Sequence, residues 1–563
     1  FYVAADGRVN PVDATMSMAR GARNQGVTIA QGVTVTDVTV RNGAVHSVVT
    51  DHGTVECEYV VNCAGMWARQ LGELSGVHIP LQAAEHYYLI TEQMEGLDPS
   101  WPVIEDPGNF GYYREEVGGL MIGLFETVCA PWNVGRIPND ASFTSIAPDW
   151  DRMGPYVEAA MSRVPRSADT GIRTFFCGPE SFTPDLRPIV GEAPEVRNYF
   201  IGAGLNSIGI LTGGGIGRVL AHWITTGAPD TDITGMDPAR LHPYQSNPAY
   251  RRTRTVESLG MVYQCHYPNK AMQTARDAKR SPLHDRLAAQ GAYFRDVSGW
   301  EAPGWYAGAG LTPDPGPLTW QRPAHWEQWA EEHRAIREGV GLIDMSFMAK
   351  FRVQGRDARA VLDHLSANVL GPTGTITYTQ WLTDAGMLDA DVTITSVDER
   401  DFLVVATDTA HRHVEWLIHR AIERLDANTV VTDVSGGLAQ INVQGPLSRA
   451  LLQSLTDTDL GHVAFPFRAA REIAIGYARV LCTRITYVGE LGYELFVPTE
   501  QAVHVYDRIV AAGALFGLRH VGLQALGSLR QEKAYRDYGH DIDNTDDPIS
   551  AGFGWAMAMD KGE

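Results

Sequence analysis

The hydrophobic positions of the chain repeat with the periods of strands and helices, and one segment shows both. An apolar strand at residues 199–201 runs into a glycine-rich loop, and the loop runs into a helix. Apolar residues in that helix recur every three to four positions: Ile216, Val219, Leu220, Trp223 and Ile224. This spacing predicts one buried helix face.

The loop before this helix is predicted to contain five glycines, namely Gly202, Gly204, Gly213, Gly214 and Gly215. Without Cβ atoms, they would allow a flat or charged ligand to approach the backbone. Amide groups at the start of the helix could then point at an anion or at an electron-rich ring edge. Tight packing without a ligand explains the same pattern, so both interpretations stay open.

Upstream, residues 26–65 have the pattern of a strand-rich meander. The run TVTDVTV alternates, and Asn42-Gly43 and His52-Gly53 are turn signals. An apolar strand then ends at Gly65 and is followed by a predicted helix, MWARQLGEL. Two further strands combine aromatic and polar residues, AAEHYYLIT around His86 and GNFGYYREE around Tyr112. A structural histidine bonded to a backbone carbonyl is the alternative interpretation of His86.

The composition changes after residue 227, and a new pattern begins at Trp326. Residues 228–306 are rich in Arg, Tyr and turn residues, and a Pro-rich stretch follows. Trp326 opens an amphipathic helix, and strand–turn–helix units and strands around Asp384-Ala385-Gly386 come next. RITYVGELGYELFVP predicts a hairpin that turns near Gly489, and LQALGSLRQEKAYRDYGHDI predicts a basic helix.

Length and charge narrow the class of protein. A chain of 563 residues with 44% hydrophobic and 20% charged residues is typical of a globular protein of several domains. Its net charge of −21 argues against nucleic-acid and anionic membrane partners. No apolar run is long and clean enough to span a bilayer. The six cysteines form no metal-binding spacing and favour a reducing compartment, so no metal is predicted.

Several motifs resemble the later part of the FAD domain in the dimethylglycine and sarcosine dehydrogenase family. They are VVNCAGMWAR, EHYYLIT, YYREE, FTPDLRPIVGE and GLNSIGI followed by GGGIGRVLAHWI. The resemblance implies a partial glutathione-reductase-like FAD domain, of mixed α/β type, with an antiparallel substrate sheet. The glycine motif that opens the family's FAD domain is not in the sequence, so we expect a fragment that also ends before the family does.

The second half resembles the aminomethyltransferase, or T-protein, fold of the glycine cleavage system. DMSFMAKFRVQG, GELGYE and LRQEKAYRDYGHD carry this resemblance, and SPLHDRL resembles the family's short connecting domain. The resemblance implies a multidomain α/β and α+β protein. We expect an FAD-dependent oxidoreductase domain at 1–227, a connecting domain at 228–306 and a folate-binding domain at 307–563.

The resemblance implies roles for residues at a flavin site. His86 and Tyr112 match the catalytic positions at the flavin face, where an imidazole and a phenol could favour the neutral amine that loses a hydride. The remaining matches form the cofactor-binding set: Gly65, Gly204, Asn206, Ser207, Gly213, Gly214 and Gly215.

The resemblance also implies a tetrahydrofolate site. Asp391 matches the catalytic aspartate, and Tyr487 and Glu494 match the pterin-binding positions. Arg530 and Arg536 could bind the glutamate tail of the folate, although a solvated helix face also explains Arg530. Gly386-Met387 departs from the usual Gly-Gly, and Gly527 stands where the family has an aspartate.

Two functions follow from these resemblances. The first is flavin-dependent demethylation of an N-methylglycine, sarcosine or dimethylglycine, with transfer of the one-carbon unit to tetrahydrofolate. Electrons would pass to an electron-transfer flavoprotein or to oxygen, in the cytoplasm of a bacterium or in a mitochondrial matrix. The second is a non-catalytic regulator, because EHYYLIT and GPESFTPD also resemble the regulatory subunit of pyruvate dehydrogenase phosphatase.

Overall fold

The computed structural model describes residues 1–561, which form two compact units. The first comprises Phe1–Gly227 and Met236–His266, and the second comprises Ala228–Gly235 and Tyr267–Glu563. Residues 228–306 contribute to both units, and the expected boundaries of the three domains stay a prediction.

The first unit contains eleven strands and five α-helices among its described residues. The strands are β1 (Val35–Arg41), β2 (Ala44–Thr50), β3 (Gly53–Glu56), β4 (Val60–Asn62), β5 (Gln82–Thr91), β6 (Ile104–Asp106), β7 (Gly111–Glu116), β8 (Gly119–Leu124), β9 (Ile172–Phe182), β10 (Ile189–Glu192) and β11 (Tyr199–Ala203). The helices are α1 (Pro11–Asn24), α2 (Ala68–Glu73), α3 (Trp150–Arg163), α4 (Gly209–Thr226) and α5 (Pro248–Tyr263).

These strands form three sheets. β1, β2 and β3 make the predicted meander, and Asn42 and Gly43 adopt the positive φ values, 51° and 70°, that its tight turn needs. A second sheet has the order β10-β11-β4, with β11 parallel to β4. The third is antiparallel, in the order β6-β7-β8-β5-β9. One face of this third sheet packs its apolar residues, such as Tyr87 and Tyr113, against α3.

The glycine-rich segment corrects one prediction. The loop after β11 ends at Ile208, and α4 already begins at Gly209. Gly213, Gly214 and Gly215 therefore lie inside the helix and not in the preceding loop. A glycine costs a helix only about 1 kcal/mol, so the buried apolar face can extend the helix through all three.

The second unit contains fourteen strands and seven α-helices among its described residues. The strands are β12 (Lys279–Arg280), β13 (Ala292–Val297), β14 (Trp300–Tyr306), β15 (Gly341–Asp344), β16 (Ala349–Gly355), β17 (Thr375–Leu382), β18 (Leu388–Asp398), β19 (Asp401–Ala406), β20 (Thr429–Asp433), β21 (Leu438–Gln444), β22 (Ala470–Ile475), β23 (Ala478–Thr483), β24 (Gly492–Pro498) and β25 (Arg519–His520). The helices are α6 (His284–Ala289), α7 (Trp326–Glu338), α8 (Ala358–Leu365), α9 (His411–Arg424), α10 (Ser448–Gln453), α11 (Thr499–Gly513) and α12 (Leu523–Glu532).

Two large sheets dominate this unit. One has six strands in the order β22-β23-β24-β21-β15-β25, and the other has five in the order β17-β18-β19-β16-β20. A small sheet, β12-β14-β13, precedes them in the chain. Each large sheet has its own apolar core, centred on Ile441 and Leu495 in the first and on Phe351 and Val404 in the second. The predicted strands around Asp384-Ala385-Gly386 are confirmed as β17, β18 and β19.

Two predicted elements of this unit are wrong in extent. The hairpin pairs β23 with β24 and ends at the Thr483↔Glu494 pair, so Gly489 lies in a longer connection. Val488 in that connection packs into an apolar cluster, which explains why its alternating sequence resembles a strand. The basic helix ends at Glu532, and Arg536 lies in the irregular segment that follows. Among the residues described, no helix is long and apolar enough to cross a bilayer.

Candidate functional sites

The third sheet of the first unit brings His86 and Tyr112 to one face. His86 on β5 lies opposite Gly178 of β9, and Tyr112 on β7 lies opposite Gly123 of β8. Gly123 in turn lies opposite Tyr88, two residues after His86 on β5. Because alternate residues of a strand share a face, His86, Tyr88 and Tyr112 lie on the face opposite to the apolar core.

An aromatic row connects the two predicted catalytic residues. The Tyr112 ring lies 5.6 Å from Phe125, Phe125 stacks on Tyr263 at 3.7 Å, and Tyr263 stacks on His86 at 6.2 Å between ring centroids. A Cβ atom at position 123 would lie 1.7 Å from the Tyr112 ring, so only glycine lets this ring lie across β8. Sequence reasoning missed Tyr263, which ends α5 in the segment assigned to the connecting domain.

The environment of this row is apolar with a few polar groups. The Nδ1 atom of His86 is buried and has no hydrogen-bond partner among the described residues. Burial raises the pKa of Tyr112, and the nearby Arg114 charge opposes that rise. Burial raises the pKa of Tyr263 well above its ordinary range, and a hydrogen bond with Ser207 opposes the effect. Ser207 is thereby placed beside the aromatic row.

The loop that carries Ser207 is held by its own side chains. Asn206 is buried; its side chain accepts a hydrogen bond from the Thr183 amide at 2.9 Å and donates one to the Gly204 carbonyl at 2.8 Å. Gly204 has a φ of +66°, and a Cβ there would lie 2.5 Å from Thr183. Local packing thus accounts for Asn206 and Gly204, and their role in cofactor binding stays a prediction.

The other predicted cofactor glycines face open space. A Cβ added at Gly65, Gly213, Gly214 or Gly215 would meet no atom within 4 Å. The φ of +57° at Gly65 favours glycine by itself, whereas neither packing nor a positive φ accounts for the three glycines of α4. Beside them on α4, Leu211 is an exposed apolar side chain at 78%. A backbone left open by glycines could admit the flat ring system of a flavin. The role of these glycines in holding FAD stays a prediction.

In the second unit, Asp391 lies in the middle of β18. Its carboxylate accepts hydrogen bonds from the Tyr378 hydroxyl at 3.0 Å and from the Gln380 amide at 3.4 Å. Burial raises its pKa from 3.8 to about 7, and both hydrogen bonds oppose this rise. The carboxyl group can therefore take or give a proton near neutral pH. Its residue is half-buried, so one side stays accessible.

Glu494 lies on the other large sheet and has a similar electrostatic environment. It accepts a hydrogen bond from the Asn442 side chain at 3.1 Å. Burial raises its pKa to about 7, against the opposing effects of Asn442 and of the Lys350 charge. Lys350 is buried, and its ammonium donates to the backbone carbonyls of Ser346 and Met348. On β21, the Oε1 atom of Gln440 and both polar side-chain atoms of Gln444 are buried without a hydrogen-bond partner among the described residues.

Tyr487 lies in the connection before β24 and forms an electrostatic link to Asp391. Its hydroxyl donates to the carbonyl of Arg536 at 2.8 Å. Burial raises its pKa far above the ordinary value, and the negative charge of Asp391 adds to the effect. Tyr487 and Asp391 therefore lie within electrostatic range of each other, whereas Glu494 is grouped with Lys350 and Asn442.

The two predicted tail-binding arginines have partners within their own segment. Arg530 is buried, so the solvated-face interpretation is wrong; it forms ion pairs with Asp541 and, at 3.7 Å, with Asp537. The Arg536 guanidinium lies 5.6 Å above the Phe553 ring and donates to the Ala534 carbonyl. Binding of a folate tail by either arginine stays a prediction.

Comparison with known proteins assigns a family to each part of the chain. A family described as FAD dependent oxidoreductase matches residues 1–223, and its central domain matches 226–281. A family described as GCVT N-terminal domain matches residues 283–561. Fold and matches together define a flavin-dependent oxidoreductase that carries an aminomethyltransferase-like domain in the same chain. The predicted cofactors, FAD and tetrahydrofolate, are supported by these two domain families.

Individual relatives make the assignment more specific. The chain is 40% identical to 4-methylaminobutanoate oxidase (formaldehyde-forming) of Paenarthrobacter nicotinovorans, over 99% of this chain and 67% of the relative. It is 34% identical to mitochondrial sarcosine dehydrogenase of Homo sapiens, over 99% of this chain and 65% of the relative. The chain belongs to the dimethylglycine and sarcosine dehydrogenase family, as its motifs predicted.

A third relative has a different kind of function. The mitochondrial regulatory subunit of pyruvate dehydrogenase phosphatase from Mus musculus is 32% identical over 100% of this chain and 65% of the relative. The chain thus spans about two thirds of the length of each of these three relatives.

Proposed function

We propose that the protein oxidatively demethylates an N-methylated amino acid and passes the one-carbon unit to tetrahydrofolate. The observation that carries the proposal is the aromatic row on the first unit's antiparallel sheet. It unites His86, with its unpartnered buried Nδ1 atom, and Tyr112 on one face. The two matching domain families imply FAD and tetrahydrofolate as the cofactors.

His86 and Tyr112 would act on the protonation state of the substrate amine. Bound FAD supplies the hydride acceptor, and only an amine with a free lone pair can release a hydride from its methyl carbon. An apolar environment disfavours the ammonium form, and a neutral imidazole can accept the proton that is released. The buried phenol of Tyr112, whose pKa is raised, remains protonated and can donate a hydrogen bond to the substrate.

The second unit would capture the carbon that leaves the first. A pKa of about 7 allows Asp391 to accept a proton from an attacking folate nitrogen at neutral pH. Glu494 can accept hydrogen bonds from the exocyclic N–H groups of a pterin, since a neutral amide is its observed partner. Tyr487 lies near Asp391 and could contribute to the same pocket.

The substrate is the finer part of the proposal. An N-methylglycine, sarcosine or dimethylglycine, follows from the family motifs, while the 40% identical relative, a 4-methylaminobutanoate oxidase, suggests 4-methylaminobutanoate. The full-length flavin-loaded protein should be mixed with each amine without oxygen, and the loss of flavin absorbance followed. We expect sarcosine or dimethylglycine to bleach the flavin fastest; faster bleaching by 4-methylaminobutanoate would correct the substrate class alone.

Product analysis tests the folate step separately. With tetrahydrofolate present, the proposal predicts methylenetetrahydrofolate from the unmodified protein and free formaldehyde from Asp391→Ala at similar rates of flavin reduction. Equal product ratios in the two proteins would remove Asp391 from the transfer step. Readmitting oxygen or electron-transfer flavoprotein to the reduced protein would then identify the electron acceptor.

The regulatory alternative rests on the 32% identity to the phosphatase subunit. It predicts that no methylated amine reduces the flavin and that the second unit does not bind tetrahydrofolate. Both negative results together, in a folded full-length protein, would favour the regulator over the enzyme.

A further inference from the structure

We propose that Asn442 is a positioning residue for Glu494, whose Oε1 atom it holds so that Oε2 stays available to the pterin of tetrahydrofolate. The inference rests on the proposed function, because that function makes Glu494 an acceptor for pterin N–H groups. It adds a residue in the middle of β21 that no pattern in the sequence pointed to.

Asn442 and Glu494 are direct neighbours across two antiparallel strands. The register of β21 and β24 pairs the two residues, so their side chains lie on the same face of the sheet. Nδ2 of Asn442, a residue only 3% exposed, donates to Oε1 of Glu494 at 3.1 Å. Oε2 of Glu494 forms no hydrogen bond within the described chain and is not among its enclosed unpartnered atoms. One carboxylate oxygen is therefore fixed by the strand register and the other is available.

The orientation of the amide decides what Asn442 offers to Glu494. Nε2 of Gln440, two residues earlier on the same face of β21, lies 3.5 Å from Oδ1 of Asn442, so this oxygen points away from Glu494. The backbone amide of Gln440 in turn donates to the Ser346 hydroxyl at 3.1 Å, which anchors this part of β21. An amide N–H cannot accept the proton of a carboxylic acid, and it bonds a negative carboxylate more strongly than a neutral acid. The arrangement therefore favours the ionised form of Glu494.

The groups packed around Glu494 leave the Asn442 bond as its main polar contact. Burial raises the pKa of Glu494 to about 7, and the Asn442 bond opposes this rise more than the Lys350 charge does. Lys350 of β16 donates its protons to backbone carbonyls and not to this carboxylate. Asp344 of β15 is a buried acid that acts on Lys350, and Thr483, opposite Glu494 on β23, is neutral. Loss of the Asn442 amide would thus leave Glu494 without a hydrogen-bonded side chain.

The chemical consequence concerns the pH range in which the pterin binds. A pterin presents N–H donors, which an ionised carboxylate accepts better than a protonated acid does. Without the Asn442 amide, the pKa of Glu494 should rise further, so tetrahydrofolate affinity should fall at neutral pH and recover in more alkaline solution. A residue that only packed the strand would instead change the affinity equally at every pH.

Asn442→Leu tests this inference, with Gln444→Leu as the matched control. Both replace a buried amide on the same face of β21 by an apolar side chain, but the Gln444 amide bonds to no described residue. Glutamate carboxyl groups of the full-length protein are labelled with ¹³C and titrated without ligand, and the Glu494 signal is assigned by its loss in Glu494→Gln. We expect Asn442→Leu to raise the proton affinity of Glu494 about tenfold and Gln444→Leu to change it less than about twofold.

Calorimetry with tetrahydrofolate is the second measurement. The pH at which the affinity reaches half its maximum should rise by the same factor in Asn442→Leu and stay unchanged in Gln444→Leu. An unchanged Glu494 titration in folded Asn442→Leu would overturn the inference. If that variant does not fold, Asn442→Ala removes the same amide with less bulk, and an unchanged titration there would count equally against us. Absence of tetrahydrofolate binding to the unmodified protein would instead contradict the proposed function, while the ligand-free titration still decides whether Asn442 controls Glu494.

Discussion

Replacement of Asp391 by asparagine gives a sharp test of how burial controls the folate site. Asp391 accepts hydrogen bonds from Tyr378 and Gln380, both neutral donors on β17. The structure raises its pKa from 3.8 to about 7, mainly by burial. Asparagine has nearly the same size and keeps one oxygen acceptor, but it carries no charge at any pH. The variant therefore isolates the free-energy cost of ionising the buried carboxyl group.

The direction in which the free energy of unfolding changes with pH follows from proton binding to Asp391. Since the folded pKa lies above the unfolded one, the folded state binds more protons between these values. The resulting stability is fully present below about pH 4 and is lost as the pH rises through about 7. The interval from 3.8 to about 7 corresponds to about 4 kcal/mol of unfolding free energy. About 3 kcal/mol of this is lost between pH 5 and pH 8.

Urea unfolding at pH 5 and pH 8 measures this difference. We expect Asp391→Asn to gain up to about 3 kcal/mol of stability over the unmodified protein on going from pH 5 to pH 8. Asp384→Asn is the control, because Asp384 lies in the turn between β17 and β18 and its side chain is 98% exposed. A stability difference between Asp391→Asn and the unmodified protein that does not change with pH would refute the reasoning.

Four further predictions concern the two sites. Tyr112→Phe should slow flavin reduction at least about tenfold, whereas Tyr113→Phe, on the opposite face of β7, should leave the rate unchanged in stopped-flow measurements. Glu494→Gln should weaken tetrahydrofolate binding by about 1.5–3 kcal/mol in calorimetry, and equal affinity would exclude a charge-assisted bond. Gly214→Ala should stabilise α4 by about 0.5–1 kcal/mol yet lower FAD retention. Gly204→Ala should lower the melting temperature, because its Cβ would lie 2.5 Å from Thr183.

Local sequence signals predicted most strands and the faces they present. The Asn42-Gly43 turn predicted the meander, and the two aromatic-rich stretches around His86 and Tyr112 were correctly predicted as strands, β5 and β7. Both signals depend on neighbours in sequence or on the two-residue period, so they need no knowledge of tertiary contacts. The family motifs then supplied the domain types that the comparisons confirm.

The missed residues depend on contacts that are remote in the chain. Tyr263 joins the aromatic row from the end of α5. A tyrosine that ends a helix is common, so this position carries no local pattern. The error in the hairpin prediction has a related cause. Val488 is apolar because it packs into a cluster from a loop, and this contact cannot be distinguished in the sequence from a place in a strand.

The acidic residues of the second unit differ in whether a cation binds their carboxylates. Asp541 forms an ion pair with Arg530, which fixes a segment after α12. Asp391 and Glu494 instead receive hydrogen bonds from neutral donors, and no cation of the described chain bonds to either carboxylate directly. A buried acid without a bonded cation costs stability, as the pKa values near 7 show.

A protein can tolerate this loss of stability more readily where a bound ligand offsets it. A pterin presents N–H donors, which would stabilise the ionised form of Glu494 in place of the water that burial excludes. Binding of tetrahydrofolate should therefore lower the pKa of Glu494 and release a proton near pH 7. Calorimetry in buffers of different ionisation enthalpy measures that proton directly. Glu494→Gln should abolish the release, whereas release that persists in this variant would move the titrating group to Asp391.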